Sequence, residues 1–476
     1  MLFNSFDFLL FFPIITTLYF LVPHKFRWAL LLLASCFFYM FFVPVYIFIL
    51  LATILIDYFA AIYISKTEDK KRKKRYLVIS VISTCLVLFV FKYFDFFNNN
   101  FKALAGFVHW NYPIPALKII LPIGLSFHTF QSLSYVIEVY RGNQKPEHHF
   151  GIYALYVMFY PQLVAGPIER PQNLLHQFYE VHHFDYDNVV SGLQQMLWGF
   201  FKKVVIADRL SMYVNTVYNN YEYHNGTSLF VAAVFFSFQI YCDFSGYSDI
   251  AIGSARVMGF ELMANFNRPY FSKSVAEFWR RWHISLSSWF NDYLFTPLVL
   301  TFREWGKFAV VFAIMATFFI SGLWHGAGWT FITFGVLNGI AFVYDFLTKK
   351  IRKTLSKAIP VVLYKCTSIV FTFLFITFSF IFFKAGSFHQ AFGIIDKILF
   401  QRGKLFVADQ RDLRYAYCFI PVLLVTEFVQ ENKFFNKFSL YNNKYAIIRH
   451  LTYYSLVIII LLFGVFDQNQ FIYFQF

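Results

Sequence analysis

The stretch KFAVVFAIMATFFISGLWHGAGWTFITFGVLNGIAFVYDFL occupies residues 307–347 and holds two apolar runs around a short junction rich in Gly and Trp. The runs, at residues 306–323 and 329–347, each have the roughly 17 to 25 residues with which an α-helix crosses a bilayer. Backbone polar groups must be satisfied inside the segment when lipid surrounds it, and a helix does this. The stretch therefore predicts two membrane-spanning helices joined near residues 324–328.

Apolar runs of this kind recur along the whole chain. Of its 476 residues, 58% are hydrophobic and 14% are charged, whereas an ordinary soluble domain has about a quarter charged residues. Several runs are short or contain Pro and polar residues, so we expect about eleven full crossings, with the others re-entrant or interfacial. The predicted fold is an all-α, polytopic membrane protein with a single membrane domain over residues 1–476, since neither linker nor repeat interrupts it. The candidate spans are 6–23, 27–43, 44–64, 76–97, 117–140, 151–164, 192–207, 228–252, 306–323, 329–347, 361–383, 413–430 and 450–466.

The net charge of +15 comes largely from short basic loops. These loops are KTEDKKRKKR at 66–75, KKIRKTLSK at 349–357 and the segment 433–449. By the positive-inside rule they are expected in the cytoplasm, which places the N-terminus outside. The charge is thus explained by topology, and we expect no nucleic-acid partner. Residues 1–10 lack Lys and Arg, so we expect a first membrane helix in place of a cleaved signal peptide.

Several chemistries have no support in the sequence. There is no Gly-rich dinucleotide or ATP-binding motif and no Gly-x-Ser-x-Gly nucleophile elbow. The five cysteines are scattered without metal-ligand spacing, and the His148–His149 and His182–His183 pairs have no third ligand beside them. We therefore predict no metal site and no bound cofactor.

Polar residues interrupt the apolar pattern at 122–138, 239–256 and 265–293. Polar groups at membrane depth are costly unless they face a cavity or one another, so the pattern predicts an enclosed polar cavity or tunnel. Projected as one helix at about 100° per residue, residues 265–293 form an amphipathic surface with His283 at the edge of the apolar face. Such a helix either lies at the membrane boundary or lines the cavity with one imidazole aimed inward.

His325 lies between small residues and tryptophans in SGLWHGAGW, residues 321–329. Flanking glycines permit close approach of a substrate to the imidazole. An isolated histidine inside a membrane protein is commonly structural, but His283 supplies a second imidazole. Acyl transfer to a hydroxyl needs a group that titrates near neutral pH to take the proton.

The chain resembles the bacterial membrane-bound O-acyltransferases, in particular the alginate O-acetyltransferase branch. The resemblance runs through nearly the whole sequence and includes the aromatic tail FIYFQF at 471–476. It is carried by LPIGLSFHTFQSLSYVIEVYRG (121–142), LVAGPIERPQNLLHQF (163–178), QMLWGFFKKVVIADRLS (195–211), CDFSGYSDIAIGSARVMGF (242–260), NFNRPYFSKSVAEFWRRWHISLSSWFNDYLFTPL (265–298) and SGLWHGAGWTFITFGVLNG (321–339).

This resemblance implies a helical bundle around a central funnel, a catalytic histidine matched by His325 and a second functional histidine matched by His283. In the mechanism we expect, His325 is the base that deprotonates the acceptor hydroxyl, and His283 assists it. The candidate substrate-binding residues are Asn265, Asn267, Trp282, Trp324, Asp243 and Asp249. The two aspartates either line the tunnel or pair with Arg256 and Arg268 to stabilise the bundle.

The resemblance also implies the reaction and its location, a bacterial cytoplasmic (inner) membrane. An acetyl group would pass from a cytoplasmic thioester, acetyl-CoA or another acyl thioester, to hydroxyls of an extracytoplasmic polysaccharide such as alginate, cellulose or peptidoglycan. Transfer is either direct or through an extracytoplasmic partner, for which we expect an esterase or acetyltransferase of the SGNH type.

Two other classes of protein fit part of the pattern. A transporter or flippase of a cell-envelope precursor also has polar residues within broken spans, but inverted repeats, which would favour it, are not seen. A structural scaffold for a polysaccharide synthase would leave the two histidines without a role.

Overall fold

A computed structural model describes residues 1–117, 119, 121–407, 410–432, 445–466 and 471–472. Every regular element in these residues is a helix. The α-helices are α1 (Phe6–Leu21), α2 (His24–Met40), α3 (Tyr46–Lys66), α4 (Lys70–Leu88), α5 (Phe94–Phe107), α6 (Leu125–Arg141), α7 (Phe150–Met158), α8 (Tyr160–Leu163), α9 (Pro171–Leu174), α10 (Tyr186–Phe200), α11 (Asp208–Asn219), α12 (Gly226–Val257), α13 (Val275–Arg281), α14 (Ile284–Phe290), α15 (Thr296–Thr301), α16 (Lys307–His325), α17 (Trp329–Leu347), α18 (Lys349–Ala358), α19 (Val361–Lys384), α20 (Phe388–Phe400), α21 (Gln410–Glu431) and α22 (Ala446–Phe463).

Short π-helical and 3₁₀ segments connect some of these helices. The π-helical segments are Phe89–Tyr93, which joins α4 to α5, Phe201–Ala207, which joins α10 to α11, and Asn291–Phe295, which joins α14 to α15. The 3₁₀ turns are His176–Phe178, Tyr221–Tyr223, Pro269–Phe271 and Arg303–Trp305.

Among the described residues, seven helices have the length and hydropathy to cross a membrane. This confirms the all-α, multi-pass class, while the count of about eleven crossings stays a prediction. The helices that meet both conditions are Tyr46–Lys66, Lys70–Phe107, Gly226–Val257, Lys307–His325, Trp329–Leu347, Val361–Lys384 and Ala446–Phe463.

Two expected spans differ in the structure because of local backbone chemistry. The span expected at 117–140 begins only at Leu125, after Gly124 with a left-handed backbone of φ 78°. The span expected at 151–164 is divided into α7 and α8 at Phe159, whose backbone at φ −51° and ψ 114° is not helical. The following Pro161 lies in the first turn of α8, where a helix tolerates the missing N–H.

The amphipathic segment is also broken, and the prediction of one helix over 265–293 is wrong. α13 ends at Arg281 and α14 begins at Ile284, with His283 in the left-handed region at φ 46°. Two backbone hydrogen bonds cause the break, from Asn267 N to Arg281 O and from Ile284 N to Asn265 O, at 2.9 Å each. The chain before α13 therefore pairs with the chain on both sides of His283, which a continuous helix does not allow.

The described chain groups into two compact units, residues 1–193 with 251–263 and residues 194–250 with 264–476. The expectation of a single domain over 1–476 stays a prediction. In the first unit, Tyr135 packs on Tyr153 with ring centroids 4.4 Å apart. The fully buried Asp57 of the same unit accepts a hydrogen bond from Ser80 Oγ at 2.6 Å.

The second unit contains the helical hairpin predicted at 307–347, now α16 and α17. A Cβ atom on Gly322 would lie 2.4 Å from Phe331 O, and one on Gly335 would lie 2.2 Å from Phe318 O. Because both obstacles are backbone atoms, the two helices approach this closely only with glycine at both positions. The close approach holds His325, the last residue of α16, against the start of α17.

Candidate active site

His283 is completely buried, and its hydrogen bonds define its tautomer. Asn265 Oδ1 lies 3.2 Å from the backbone N–H of Ser285, a group that can only donate, so this atom is the amide oxygen and an acceptor. His283 Nδ1 lies 3.0 Å from the same oxygen and must therefore carry the proton. Ser285 Oγ also donates to it, at 2.9 Å. Neutral His283 thus has its lone pair on Nε2, at the ring edge away from Asn265.

Burial also influences the charge of His283, which lies between α13 and α14 and outside the seven spans. Its pKa is held well below the ordinary histidine value, first by burial and second by repulsion from His325. The imidazole is therefore neutral near pH 7. Together with the hydrogen bond to Asn265, this makes Nε2 of neutral His283 a hydrogen-bond acceptor.

His325 lies beside a tryptophan that also contacts His283. It is buried, with 4% of its surface exposed. The Trp324 ring is 4.9 Å from the His325 ring and 6.1 Å from the His283 ring, between centroids. Phe383 packs edge-on to His325 at 5.3 Å. The structure thus brings together His283, His325, Trp324 and Asn265 from the predicted set.

Two other predicted residues have contacts with groups other than the two imidazoles. Trp282 is buried among aromatic rings, with Phe266 at 5.1 Å and Phe278 at 5.3 Å. Asn267 has an exposed side chain, and its backbone N–H donates to Arg281 O. A substrate-binding role for either residue stays a prediction.

Asp243 and Asp249 form ion pairs with two lysines, so the alternative in which they pair with Arg256 and Arg268 is wrong. Lys203 Nζ lies 2.6 Å from Asp243 Oδ1, and Lys202 Nζ lies 2.5 Å from Asp249 Oδ2. Arg268 instead pairs with Glu431 at 3.0 Å. The role of the two aspartates in substrate binding stays a prediction.

Lys202 and Lys203 were missed by the reasoning from sequence, although a signal was present. They form a charged pair inside the apolar run GFFKKVVIA, residues 199–207. Both side chains are about 5% exposed and lie in the π-helical segment Phe201–Ala207. Lys203 also pairs with Asp208 at 2.8 Å. Charges at such depth need partners, which indicates a pairing role for residues of this type.

The described part of the C-terminal tail reaches the neighbourhood of His283. Phe471 packs on Tyr247 at 4.8 Å and on Phe244 at 5.5 Å. Phe244 is in turn edge-on to the His283 ring at 4.6 Å. The backbone N–H of Ile472 donates to Asp243 Oδ2 at 2.7 Å. The rest of the tail, 473–476, lies outside the described residues.

An apolar cavity and a polar cavity are among those in the described chain. An apolar cavity of about 510 Å³ lies beside α14 and α16 and touches Ile284 and Ser321. A polar cavity of about 490 Å³ lies in the first unit beside Glu169, Gln172 and Glu261. Glu169 is completely buried there, and burial raises the pKa of its carboxyl to about 7. Within the residues that the structure describes, no cluster of three or more His, Cys, Asp or Glu side chains is suited to hold a metal ion.

Comparison with known proteins connects this arrangement to a reaction. The membrane-bound O-acyltransferase (MBOAT) family model matches residues 148–386, a region that contains both histidines. Peptidoglycan O-acetyltransferase of Helicobacter pylori is 33% identical over 402 residues, which are 77% of this chain and 72% of that protein.

Two further relatives act on other polymers according to their names. The probable alginate O-acetylase AlgI of Pseudomonas aeruginosa is 37% identical over 342 residues, covering 71% of this chain and 65% of that protein. Teichoic acid D-alanyltransferase of Bacillus subtilis is 27% identical over 331 residues, covering 65% of this chain and 78% of that protein.

Proposed function

Since this chain belongs to the membrane-bound O-acyltransferase family and is an O-acyltransferase, we propose that it transfers an acetyl group from a thioester donor to hydroxyls of an extracytoplasmic polysaccharide. The relatives with more than 30% identity are named for acetylation of peptidoglycan or alginate. A relative at 27% identity is named for D-alanylation of teichoic acid. The acetyl group and a polysaccharide acceptor therefore fit the relatives better than D-alanine does.

The observation that carries this proposal is the pair of buried imidazoles that both lie beside Trp324. In the proposed reaction, His325 takes the proton of the acceptor hydroxyl while the oxygen of that hydroxyl attacks the thioester carbonyl carbon. The carbonyl oxygen becomes an oxyanion, and the new C–O bond remains when the C–S bond breaks. The sulfur leaves as a thiolate and receives the proton from the His325 imidazolium.

His283 assists this step through its fixed tautomer. The Nδ1 proton is held by Asn265, so the lone pair of the neutral ring lies on Nε2, at the other edge. A neutral neighbour favours proton transfer to His325 more than a charged one does, because it does not repel the imidazolium that forms. Asn265 acts in this scheme by positioning His283, and contact with the substrate is not required of it.

The direction of transfer follows from topology and from the origin of the donor. Acetyl thioesters such as acetyl-CoA are made in the cytoplasm, and the basic loops at 66–75 and 349–357 are assigned to that side. The chain would then lie in the bacterial inner membrane with its N-terminus outside. The acetyl group is transferred at the outer face of the membrane, either directly to the polymer or through an SGNH-type partner.

The deciding experiment measures O-acetyl groups on the extracytoplasmic polysaccharides of cells that express His325→Ala or His325→Gln. General-base catalysis is worth about 10² to 10⁴ in rate, so both variants should almost abolish acetylation at matched membrane abundance. His283→Ala should lose much of it as well.

A buried histidine outside the site provides the matched control. His128 is 1% exposed and lies on α6 in the first unit, so His128→Gln should keep acetylation near the wild-type level. Near-normal acetylation by His325→Gln, which preserves size and one hydrogen bond, would remove His325 from the role of base.

A further inference from the structure

The apolar cavity of about 510 Å³ is a groove on the second unit. Its walls come from α13, α14, the π-helical turn Asn291–Phe295, α16 and α17. We call it the α14–α16 groove and define it by Ile284, Phe290, Phe295, Ile314, Phe318 and Phe342. The lining is mainly rings and branched aliphatic chains, which suits a hydrocarbon occupant.

The groove lies beside an exposed apolar surface on α16 that is suited to contact lipid. α16 is one of the seven helices suited to cross a membrane. Its side chains Phe308, Phe312 and Phe319 are exposed, at 78%, 42% and 43% of their surface. Large apolar side chains exposed on a spanning helix meet acyl chains in a bilayer, so the adjoining groove is within reach of the same chains.

One cation lines the groove without a protein partner. Arg280 is exposed and has neither a hydrogen bond nor an ion pair in the part of the chain that the structure describes. The next residue, Arg281, is paired with Glu277 at 2.7 Å and with Glu431 at 3.0 Å. Arg280 is therefore available to an external anion, for which its guanidinium offers a fork of donors.

The position of Arg280 agrees with the level of lipid phosphates. Ala276 N, in the first turn of α13, donates to Asp345 Oδ2 at 2.8 Å, close to the end of the spanning helix α17. Arg280 lies four residues further along α13, or about 6 Å at 1.5 Å per residue. The end of a spanning helix lies near the membrane–water boundary, so α13 starts close to that boundary and Arg280 is within one to two helical turns of it.

The same end of α17 leads into a strongly basic helix. α18 carries exposed Lys349, Lys350, Lys353 and Lys357, together with exposed Ile351. Asp345 and Arg352 form an ion pair at 2.9 Å that joins α17 to α18. A short basic helix at a membrane surface attracts anionic lipid headgroups.

We propose that the α14–α16 groove binds an anionic phospholipid, with one acyl chain among the rings and the phosphate on Arg280. The lysines of α18 raise the local concentration of anionic lipid, and Arg280 makes the specific contact. Neither imidazole lines the groove, and its occupant is a structural or regulatory lipid that undergoes no reaction.

The test uses the full chain, reconstituted in bilayers of equal phosphatidylglycerol and phosphatidylcholine and then extracted in mild detergent. Lipids that remain bound are quantified by mass spectrometry. The wild-type protein should retain phosphatidylglycerol preferentially. Loss of a hydrogen bond to a charged group should lower this preference about tenfold in Arg280→Gln. Arg303→Gln, which replaces another exposed arginine, should keep it.

A second variant tests the acyl chain. Thr317 lines the groove, so the larger side chain of Thr317→Phe should fill it and reduce bound lipid of both headgroups. The proposal is overturned if Arg280→Gln retains the wild-type preference, or if Arg303→Gln loses it equally. Displacement of the lipid by acetyl-CoA would also overturn it, since the groove would then belong to the acyl donor.

Discussion

Asn265 determines the chemical state of His283 through one oxygen atom. Oδ1 accepts from His283 Nδ1, Ser285 N and Ser285 Oγ at 2.9 to 3.2 Å. Nδ2 of the same amide donates to Ser248 Oγ at 3.3 Å. Both ends of the amide are thus engaged, so the side chain cannot rotate without losing bonds. A residue that the sequence offered as a contact for the substrate is in the structure a contact for the second histidine.

A carboxylate in place of this amide should alter the pH dependence of the reaction. In Asn265→Asp, a negative charge next to Nδ1 would raise the pKa of His283, which burial and His325 hold low in the wild type. As the pH falls, the His283 imidazole would then become protonated at a higher pH than in the wild type. We expect the acidic limb of the pH profile of acetyl transfer to move upwards by about one pH unit or more.

Ser285→Ala is the matched control, because it removes one donor to Asn265 Oδ1 and adds no charge. Its pH profile should keep the wild-type acidic limb, even if the rate changes. An unchanged limb in Asn265→Asp would show that the protonation of His283 does not govern the reaction.

The buried ion pairs of Lys203 lead to a prediction about stability. Its ammonium group lies between Asp208 and Asp243, at 2.8 and 2.6 Å. Lys203→Met would leave two buried carboxylates without their cation, which typically costs about 3 to 5 kcal/mol in the free energy of unfolding. Thermal unfolding in detergent should show a clearly lower midpoint.

An exposed lysine supplies the comparison for this variant. Lys273→Met, at a solvent-exposed position, should leave the midpoint nearly unchanged. The double variant Lys203→Met with Asp243→Asn should recover part of the loss, since one of the stranded charges is then removed. A midpoint equal to wild type in Lys203→Met would contradict a stabilising role for the buried pair.

At the scale of elements, the α16–α17 hairpin depends on glycine packing. A Cβ atom on Gly335 would lie 2.2 Å from Phe318 O and 3.0 Å from Gly322 Cα. Neither backbone atom can move unless the helices separate. Since His325 ends α16, a separation of these helices would displace its imidazole from Phe334 of α17, whose ring is 5.9 Å away between centroids.

We therefore expect Gly335→Ala to lower stability by about 1 to 3 kcal/mol, as overpacking does, and to lower acetyl transfer as well. Gly328 of the same hairpin has its nearest neighbour 3.5 Å from a built Cβ atom. Gly328→Ala should therefore keep the wild-type unfolding midpoint. Equal midpoints for the two variants would argue against close packing as the constraint.

The molecule as a whole is organised by its basic loops. Residues 66–75 follow α3 and enter α4, and residues 349–357 belong to α18 after α17. Both adjoin helices suited to span the membrane. The third basic segment, 433–449, lies partly outside the described residues.

Cysteine accessibility tests the predicted orientation in a variant whose native cysteines are replaced. A membrane-impermeant thiol reagent applied from outside should modify cysteines at 108–112, after the end of α5, and should not modify those in 66–75 or 349–357. Modification of the basic segments from outside would reverse the topology and move the thioester donor to the other face.

The sequence by itself determined the helical membrane class and the candidate histidines. The information is local in both cases: an apolar run of sufficient length must form a helix in lipid, and SGLWHGAGW places His325 between two such runs. The hairpin at 307–347 accordingly appears as α16 and α17 with nearly the expected limits.

Only the tertiary structure decided the geometry around those residues. The break at His283 arises from backbone bonds to Asn265 and Asn267, some 14 to 19 residues earlier in the chain. Asp249 pairs with Lys202, which is 47 residues earlier in the chain. The π-helical segment Phe201–Ala207 holds Lys202 and Lys203 in the interior of the protein. A helical projection assumes that every residue of a segment has helical backbone angles. It therefore cannot predict a break that is caused by hydrogen bonds to a distant segment.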